Sequence, residues 1–156
     1  MRAAAVKERA RTRVADLVTR YPTRRAALLP ALWAVQEEEG WVSRDDLREV
    51  AEALGMAPAD AEGVASFYFL FHRRPPGATV IDVCDSFVCQ RLGGERLLGE
   101  LCERLGVTPG GTTADGRYTV RRQECLAACD QAPAVQVNLE SRGPVAGAAE
   151  LLEELG

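Results

Sequence analysis

Apolar residues recur at helical spacing through the first half of the chain. In the stretch RRAALLPALWAVQEEEG, Leu28, Leu32 and Val35 stand at positions i, i+4 and i+7, which places them on one face of a helix. Pro30 is tolerated in the first turn of a helix, so we expect this helix to begin near it and to end at the glycine that follows. A second helix is predicted over SRDDLREVAEALG, where Ser43 has the residue type of an N-cap.

A third predicted helix, PADAEGVASFYFLF, ends in a cluster of aromatic residues. Pro58 suits its first turn, and Phe67, Tyr68, Phe69 and Phe71 crowd its end. This is more apolar surface than one face of a short helix needs. Two interpretations stay open: packing in a core between helices, or a buried contact with another chain or domain.

The pattern changes from helical to alternating after residues 72–77, HRRPPG, where two prolines and a glycine interrupt the chain. Strands are predicted over ATVIDVC, RYTVRR and PAVQVN, and helices over GGERLLGELCERLG and PVAGAAELLEELG. This β-α-β-β-α order is that of a small sheet with helices packed on it, as in thioredoxin-like folds. We therefore predict an α+β protein with an N-terminal helical bundle over residues 1–76 and a thioredoxin-like domain over residues 77–156.

Composition and charge narrow the classes of function. The net charge of −4 gives no support to a nucleic-acid role, and no apolar run approaches the roughly 20 residues that span a bilayer. The opening stretch MRAAAVKERARTRVADLV lacks the apolar core of a secretory signal, and we interpret it as a surface helix with a charged face. We therefore expect a protein of the cytosol, or one bound peripherally to a larger assembly.

Four of the five cysteines form two pairs, Cys84 with Cys89 and Cys125 with Cys129. Each pair follows a predicted strand at the same end of the sheet, so the two loops can converge although they are distant in sequence. In a reducing compartment, clustered cysteines indicate a metal or catalysis more than a disulfide framework. Cys102 lies at helical spacing within LLGELCERLG, and we expect it to be a packing residue and not a ligand.

The spacing of the pairs leaves three kinds of site open. The sequence lacks the C-x-x-C of a thioredoxin-type dithiol and the C-x2-C runs common in four-iron clusters. A two-iron cluster needs two thiolates on each iron, and two wide pairs, C-x4-C and C-x3-C, can supply them. Zinc fits these gaps less well without being excluded, and unmetallated thiols are the third alternative.

The residues around the cysteines favour a charged, redox-active group. Cys89 is expected at a helix N-terminus, where free N–H groups favour anionic sulfur. Arg91, Arg121 and Arg122 are close in sequence to the cysteines, and each would raise a reduction potential if it offset negative charge, but the default interpretation is that these arginines face solvent. The chain has no G-x-G-x-x-G fingerprint for a nicotinamide and no nucleophile–base pair, so we predict an electron carrier without a catalytic residue or substrate site.

From about Tyr21 to its C-terminus the sequence resembles the 24-kDa-type [2Fe–2S] subunit of respiratory complex I, the E-type subunit family of NADH-quinone oxidoreductase. The motifs that carry the resemblance are LLPALWAVQEEEGWVS, GVASFYFLF, VCDSFVCQRLGGERLL and ECLAACDQAPAVQVN. The resemblance implies a thioredoxin-like [2Fe–2S] ferredoxin domain with one [2Fe–2S] cluster per chain, held by Cys84, Cys89, Cys125 and Cys129. It also implies an electron-transfer role beside a flavoprotein partner that binds FMN and NADH.

The resemblance further implies that GVASFYF packs against the flavoprotein. The chain is then a peripheral subunit on the cytoplasmic side of the inner membrane, without direct membrane insertion. Similar subunits serve NAD-linked formate dehydrogenases and NAD-reducing hydrogenases, and a zinc-stabilised interaction module is the alternative of another class. The family usually has glycine in its C-L-G-x-C motif where this chain has Ala127. If that position has a positive φ, alanine costs of order 1 kcal/mol there.

Overall fold

The computed structural model describes residues 2–156, with side chains described for residues 7–156. Met1, which belongs to the predicted N-terminal helix and domain, lies outside the described residues. The chain separates into two compact units, one ending at Pro75 and the other spanning Pro76–Gly156. The predicted domain boundary lies one residue further along, and the division into two domains stays a prediction.

The N-terminal unit consists of four helices. They are α1 (Arg2–Arg20), α2 (Leu28–Glu39), α3 (Arg44–Leu54) and α4 (Pro58–Phe67), with a 3-10 turn at Arg24–Ala27 before α2. Helix α2 begins two residues before Pro30, which disturbs nothing because the first N–H groups of a helix have no partner within it. Its predicted apolar face is buried among residues of α1 and α3 such as Val14 and Val50.

A capping residue fixes the start of α3, and α4 ends among its aromatic residues. Ser43 caps α3 through a reciprocal pair of hydrogen bonds, in which its hydroxyl accepts the Asp46 N–H and the Asp46 carboxylate accepts the Ser43 N–H. Helix α4 ends at Phe67, before the end of the predicted segment. Phe71 turns back into the core against Trp33, whereas Phe67 is 79% exposed. The core interpretation therefore holds for Phe71 and not for Phe67.

The second unit contains a four-stranded sheet and three helices. In chain order these are β1 (Thr79–Cys84), α5 (Phe87–Arg91), α6 (Gly94–Leu105), β2 (Tyr118–Gln123), β3 (Val135–Val137), β4 (Glu140–Arg142) and α7 (Ala148–Leu155). The sheet order is β2-β1-β3-β4, with β1 parallel to β2 and antiparallel to β3. Helix α5 and strand β4 are absent from the predicted order, since five and three residues are too few to show a period.

Strand β1 is buried on both faces. Ile81 and Val83 pack against α6 and α7 in one apolar core that includes Leu101 and Leu151. The opposite face carries Asp82 and Cys84, which are also buried. The parallel pairing places Cys84 directly opposite Gln123, so β1 and β2 end at the same edge of the sheet. The two cysteine loops leave from this edge.

Candidate metal centre

The first cysteine pair is buried at the end of β1. Cys84 is its last residue and is 3% exposed, and Cys89 lies within α5 and is 1% exposed. Ala134, just before β3, contacts both: its carbonyl accepts the Cys84 N–H at 3.1 Å, and its N–H donates to the Cys89 Sγ at 3.5 Å. One residue directly before the neighbouring strand therefore holds the backbone of Cys84 and the sulfur of Cys89.

We expected Cys89 at the N-terminus of the helix that begins at the glycine pair, and the structure places it instead in the first turn of α5, a separate short helix. Cys89 is the third residue of α5, so the N–H that reaches its sulfur comes from Ala134 and not from a free helix end. Helix α6 instead begins at Gly94, where a Cβ would lie 2.9 Å from the carbonyl oxygen of Cys89 and 3.0 Å from that of Cys84. A glycine at this position lets the helix begin directly against the backbone of both cysteines.

The second cysteine pair is exposed and lies beyond the end of β2. Cys125 receives the Ala127 N–H at 3.4 Å on its sulfur, and Cys129 begins a 3-10 turn, Cys129–Gln131. Between them Leu126 is buried in a small apolar cluster with the first cysteine pair and Ala134. The buried leucine anchors the loop, and Ala127 beside it has a φ of 55°, the left-handed conformation that costs an L-residue energy.

The two pairs approach each other, since the Cys84 Sγ lies 4.0 Å from the carbonyl oxygen of Glu124, directly before Cys125, and Leu126 packs with Cys84 and Cys89. The pKa of the Cys89 thiol is raised, first by burial and also by the nearby Cys84 and Cys129, while the Ala134 N–H acts in the opposite direction. Within residues 2–156 no group of three or more His, Cys, Asp or Glu side chains is arranged around one metal-ion position. A two-iron cluster asks for two separate pairs of thiolates, which is the donor set present here.

Cys102 lies away from this arrangement, on α6. It is half-buried against the core between sheet and helices, and burial raises the pKa of its thiol. This agrees with packing, and its exclusion from the ligand set stays a prediction.

Two of the three arginines near the cysteines pair with carboxylates. Arg121 donates to both carboxylate oxygens of the buried Asp82, at 2.6 and 2.8 Å. Arg122 bridges Asp85 and Glu95, each at 2.9 Å, and these carboxylates hold the pKa of its guanidinium above the ordinary value. The charges of Arg121 and Arg122 are therefore offset by acidic partners.

The remaining polar contacts hold the loop after β1. The Gln90 side-chain amide donates to the Asp85 carboxylate at 2.6 Å, which together with Arg122 lowers the pKa of Asp85. Arg91 is exposed on α5.

Sequence reasoning missed the buried Asp82 beside the cysteine pair. An acid in the otherwise apolar stretch TVIDVC was the signal that a buried partner would accompany it.

The family model described as thioredoxin-like [2Fe-2S] ferredoxin matches residues 14–155. The chain belongs to this family. The predicted fold class and the predicted [2Fe–2S] cofactor are thereby confirmed for this ferredoxin.

Curated relatives extend the comparison to respiratory enzymes. This ferredoxin is 41% identical over 150 residues to the E-type subunit of NADH-quinone oxidoreductase from Pseudomonas aeruginosa, covering 95% of this chain and 90% of that protein. It is 42% identical over 127 residues to NADH-quinone oxidoreductase subunit 2 of Thermus thermophilus, covering 80% of this chain and 70% of that protein. The E-type subunit from Mycobacterium tuberculosis is 44% identical over 125 residues, and there the match spans 50% of the relative. The predicted resemblance to the E-type subunit family is confirmed.

Among solved structures, an NAD+-reducing [NiFe]-hydrogenase in the H2-reduced state aligns with a TM-score of 0.68 and 30% identity. The match covers 82% of this ferredoxin and 22% of the hydrogenase chain. The names of the relatives and the hydrogenase match support a multi-subunit assembly. In the part of the ferredoxin that the structure describes, no helix is long and apolar enough to cross a membrane.

Proposed function

We propose that this ferredoxin is the E-type electron-transfer subunit of an NADH:quinone oxidoreductase. Cys84, Cys89, Cys125 and Cys129 are the proposed ligands of its single [2Fe–2S] cluster. The observation that supports this assignment is the meeting of two cysteine pairs at the common end of two parallel strands. When bound, such a cluster supplies one-electron capacity, so the chain needs no catalytic side chain of its own.

The protein residues divide the site into a buried and an exposed side. Cys84 and Cys89 lie in the apolar cluster with Leu126, which excludes water from their sulfurs. Cys125 and Cys129 are exposed on the other side. Since electrons pass between proteins only over short distances, this exposed side is the proposed face for electron exchange.

The proposed partner is the flavoprotein subunit that binds FMN and NADH. In the N-terminal unit Phe67 is 79% exposed, and Tyr68 and Phe69 are 39% and 43% exposed, a concentration of aromatic surface typical of protein interfaces. We propose that the flavoprotein covers these aromatics. In this assembly the ferredoxin lies on the cytoplasmic side of the inner membrane as a peripheral subunit.

A second candidate is the corresponding subunit of an NAD-reducing hydrogenase. The observation that favours it is the structural match to the NAD+-reducing [NiFe]-hydrogenase. The chemistry at the cysteines would be the same in both assemblies, so the surrounding subunits distinguish them.

Purification of the tagged chain from its native source tests both candidates. We expect a flavoprotein and quinone-linked subunits to co-purify, with two iron and two sulfide per ferredoxin. Co-purification of a nickel-containing subunit would support the hydrogenase instead. One zinc atom per chain, or no metal in anaerobically prepared material, would contradict both.

The ligand set is tested by single cysteine-to-serine variants. Replacement of each proposed ligand is expected to abolish or alter the visible absorption and the EPR signal of the reduced protein. Cys102→Ser is the matched control and should leave both unchanged. A colourless Cys102→Ser variant, or an unaffected Cys129→Ser variant, would contradict the proposed ligands.

A further inference from the structure

We propose that Gln36 is a positioning residue for partner binding, because its side-chain amide holds in place the turn that carries the exposed aromatic residues. The turn follows α4 and is closed by a hydrogen bond from the Phe71 N–H to the Tyr68 carbonyl at 3.1 Å. This inference rests on the proposed function, since it assumes that the flavoprotein covers Phe67, Tyr68 and Phe69. It goes beyond that proposal by assigning a role to a residue of α2 that is not itself part of the aromatic surface.

The Gln36 side chain makes two hydrogen bonds to the backbone at the end of this turn. Its Nε2 donates to the Leu70 carbonyl at 2.8 Å, and its Oε1 accepts the His72 N–H at 2.6 Å. These two backbone groups flank Phe71, so the amide pairs with this stretch as a peptide group of a neighbouring strand would. The contact therefore fastens the end of the turn to α2, although the residues it joins are 34 and 36 positions apart.

Ring contacts extend this support from the buried end of the turn to its exposed end. The Phe71 ring lies 6.3 Å from that of Trp33 on α2 and 6.4 Å from that of Tyr68, between ring centroids. The Tyr68 ring in turn lies 5.1 Å from that of Phe67. All three contacts are edge-to-face, an arrangement that favours particular relative orientations of the rings. Because Gln36 holds the backbone on both sides of Phe71, it also fixes the direction in which the exposed rings point.

The chain beyond the turn has supports of its own. The Val42 N–H donates to the His72 carbonyl at 2.8 Å, and the Arg73 guanidinium donates to the Glu62 carboxylate at 2.8 Å. Loss of the Gln36 contacts should therefore loosen the turn while the rest of the N-terminal unit keeps its structure.

Order in the free chain matters for affinity. Side chains that are mobile before binding lose that freedom in the complex, and residues that are already ordered avoid most of this entropy cost. Phe67, at 79% exposed, has few neighbours of its own to order it. Gln36 should therefore increase affinity for the flavoprotein without contacting it.

The test compares the full-length, cluster-loaded wild type with Gln36→Met, which keeps the length of the side chain and removes both hydrogen bonds. The Kd for the flavoprotein subunit is measured, together with hydrogen exchange of segment 66–72 in the free and bound chains. We expect about tenfold weaker binding and at least about tenfold faster exchange in the free variant. Exchange should be equal in the two chains once both are bound, because the partner then orders the turn.

Val14→Ala is the control for a general loss of stability. Val14 is 4% exposed on α1, which makes none of the contacts to the turn described above. Its truncation lowers the thermal midpoint by removing buried methyl groups. We expect its Kd and its exchange in segment 66–72 to stay within about threefold of the wild type.

Unchanged affinity in Gln36→Met, or exchange in segment 66–72 no faster than in the wild type, would overturn the inference. Equal losses of affinity in Gln36→Met and Val14→Ala would overturn it as well. Where Gln36→Met does not fold, Gln36→Glu keeps the acceptor for the His72 N–H and loses the donor to the Leu70 carbonyl, and wild-type affinity and exchange in that variant would overturn the inference. A wild type that does not bind the flavoprotein would refute the proposed function instead, while the exchange measurement still decides whether Gln36 orders the turn.

Discussion

Gly94→Ala is the substitution that most directly tests how the fold builds the cysteine site. The added Cβ would lie 2.9 Å from the carbonyl oxygen of Cys89 and 3.0 Å from that of Cys84. Both neighbours are backbone atoms, one in β1 and one in α5, so neither can rotate away as a side chain would. The start of α6 and the loop that carries the first cysteine pair must therefore separate.

Two opposing effects set the expected change in the free energy of unfolding for Gly94→Ala. Inserting a methyl group into a packed site costs about 1–3 kcal/mol. Replacing glycine by alanine in a helix contributes at most about 1 kcal/mol in the opposite direction. We therefore expect a net destabilisation of about 1–2 kcal/mol, combined with weaker retention of the cluster because the displaced atoms belong to two proposed ligands.

Gly99→Ala is the matched control, since Gly99 lies in the same helix and a Cβ there would meet nothing within 4 Å. The assays are the thermal midpoint of the cluster-loaded chain and the rate at which a chelator bleaches its visible absorption. We expect a lower midpoint and faster bleaching for Gly94→Ala, and an equal or higher midpoint with unchanged bleaching for Gly99→Ala. Equal thermal midpoints and equal bleaching rates for the two variants would refute the claim that Gly94 is needed for the contact between α6 and the cysteine loop.

The remaining predictions concern the loop, the partner surface and acid stability. Ala127→Gly should raise the stability of the loaded chain by about 0.5–1 kcal/mol, because the left-handed conformation strains alanine, and a lower thermal midpoint would contradict this. Phe67→Ser should weaken recovery of the flavoprotein in a pull-down at least about tenfold, with Leu139→Ser, an exposed control, without effect. The hydrogen bond from Arg11 lowers the pKa of Glu49 below 4.5, so the stability from this pair should persist at neutral pH and disappear on acidification below that value. Thermal midpoints of the wild type and Arg11→Gln should thus converge at low pH, and a constant difference down to about pH 3 would speak against the pairing.

Much of the fold could be predicted because its signals are local. The apolar face of α2 and the Ser43 cap of α3 depend on residues a few positions apart, and both are present in the structure. The three strands predicted for the second unit, ATVIDVC, RYTVRR and PAVQVN, correspond to β1, β2 and β3. Helix α5 and strand β4 could not be predicted, since such short elements exist only through contacts made elsewhere in the fold.

In the candidate site, too, local features could be predicted from the sequence, whereas contacts between distant residues could not. The two cysteine pairs and their spacing are visible in the sequence, and the resemblance to a family supplied the cofactor. Sequence reasoning could not show which N–H group reaches the Cys89 sulfur, because the donor is Ala134, 45 positions away. It also treated Arg121 as a candidate cation near the sulfurs, although its buried carboxylate partner is 39 positions away on the adjacent strand.

By itself the sequence determined the element types, the four clustered thiols and the family, because helical period, caps and ligand spacing are properties of short stretches of chain. Only the tertiary structure decided which thiols are buried, which N–H groups reach them and which charges are neutralised nearby. These depend on strand register and on burial, which bring residues from distant parts of the chain into contact and remove the water that would otherwise screen them.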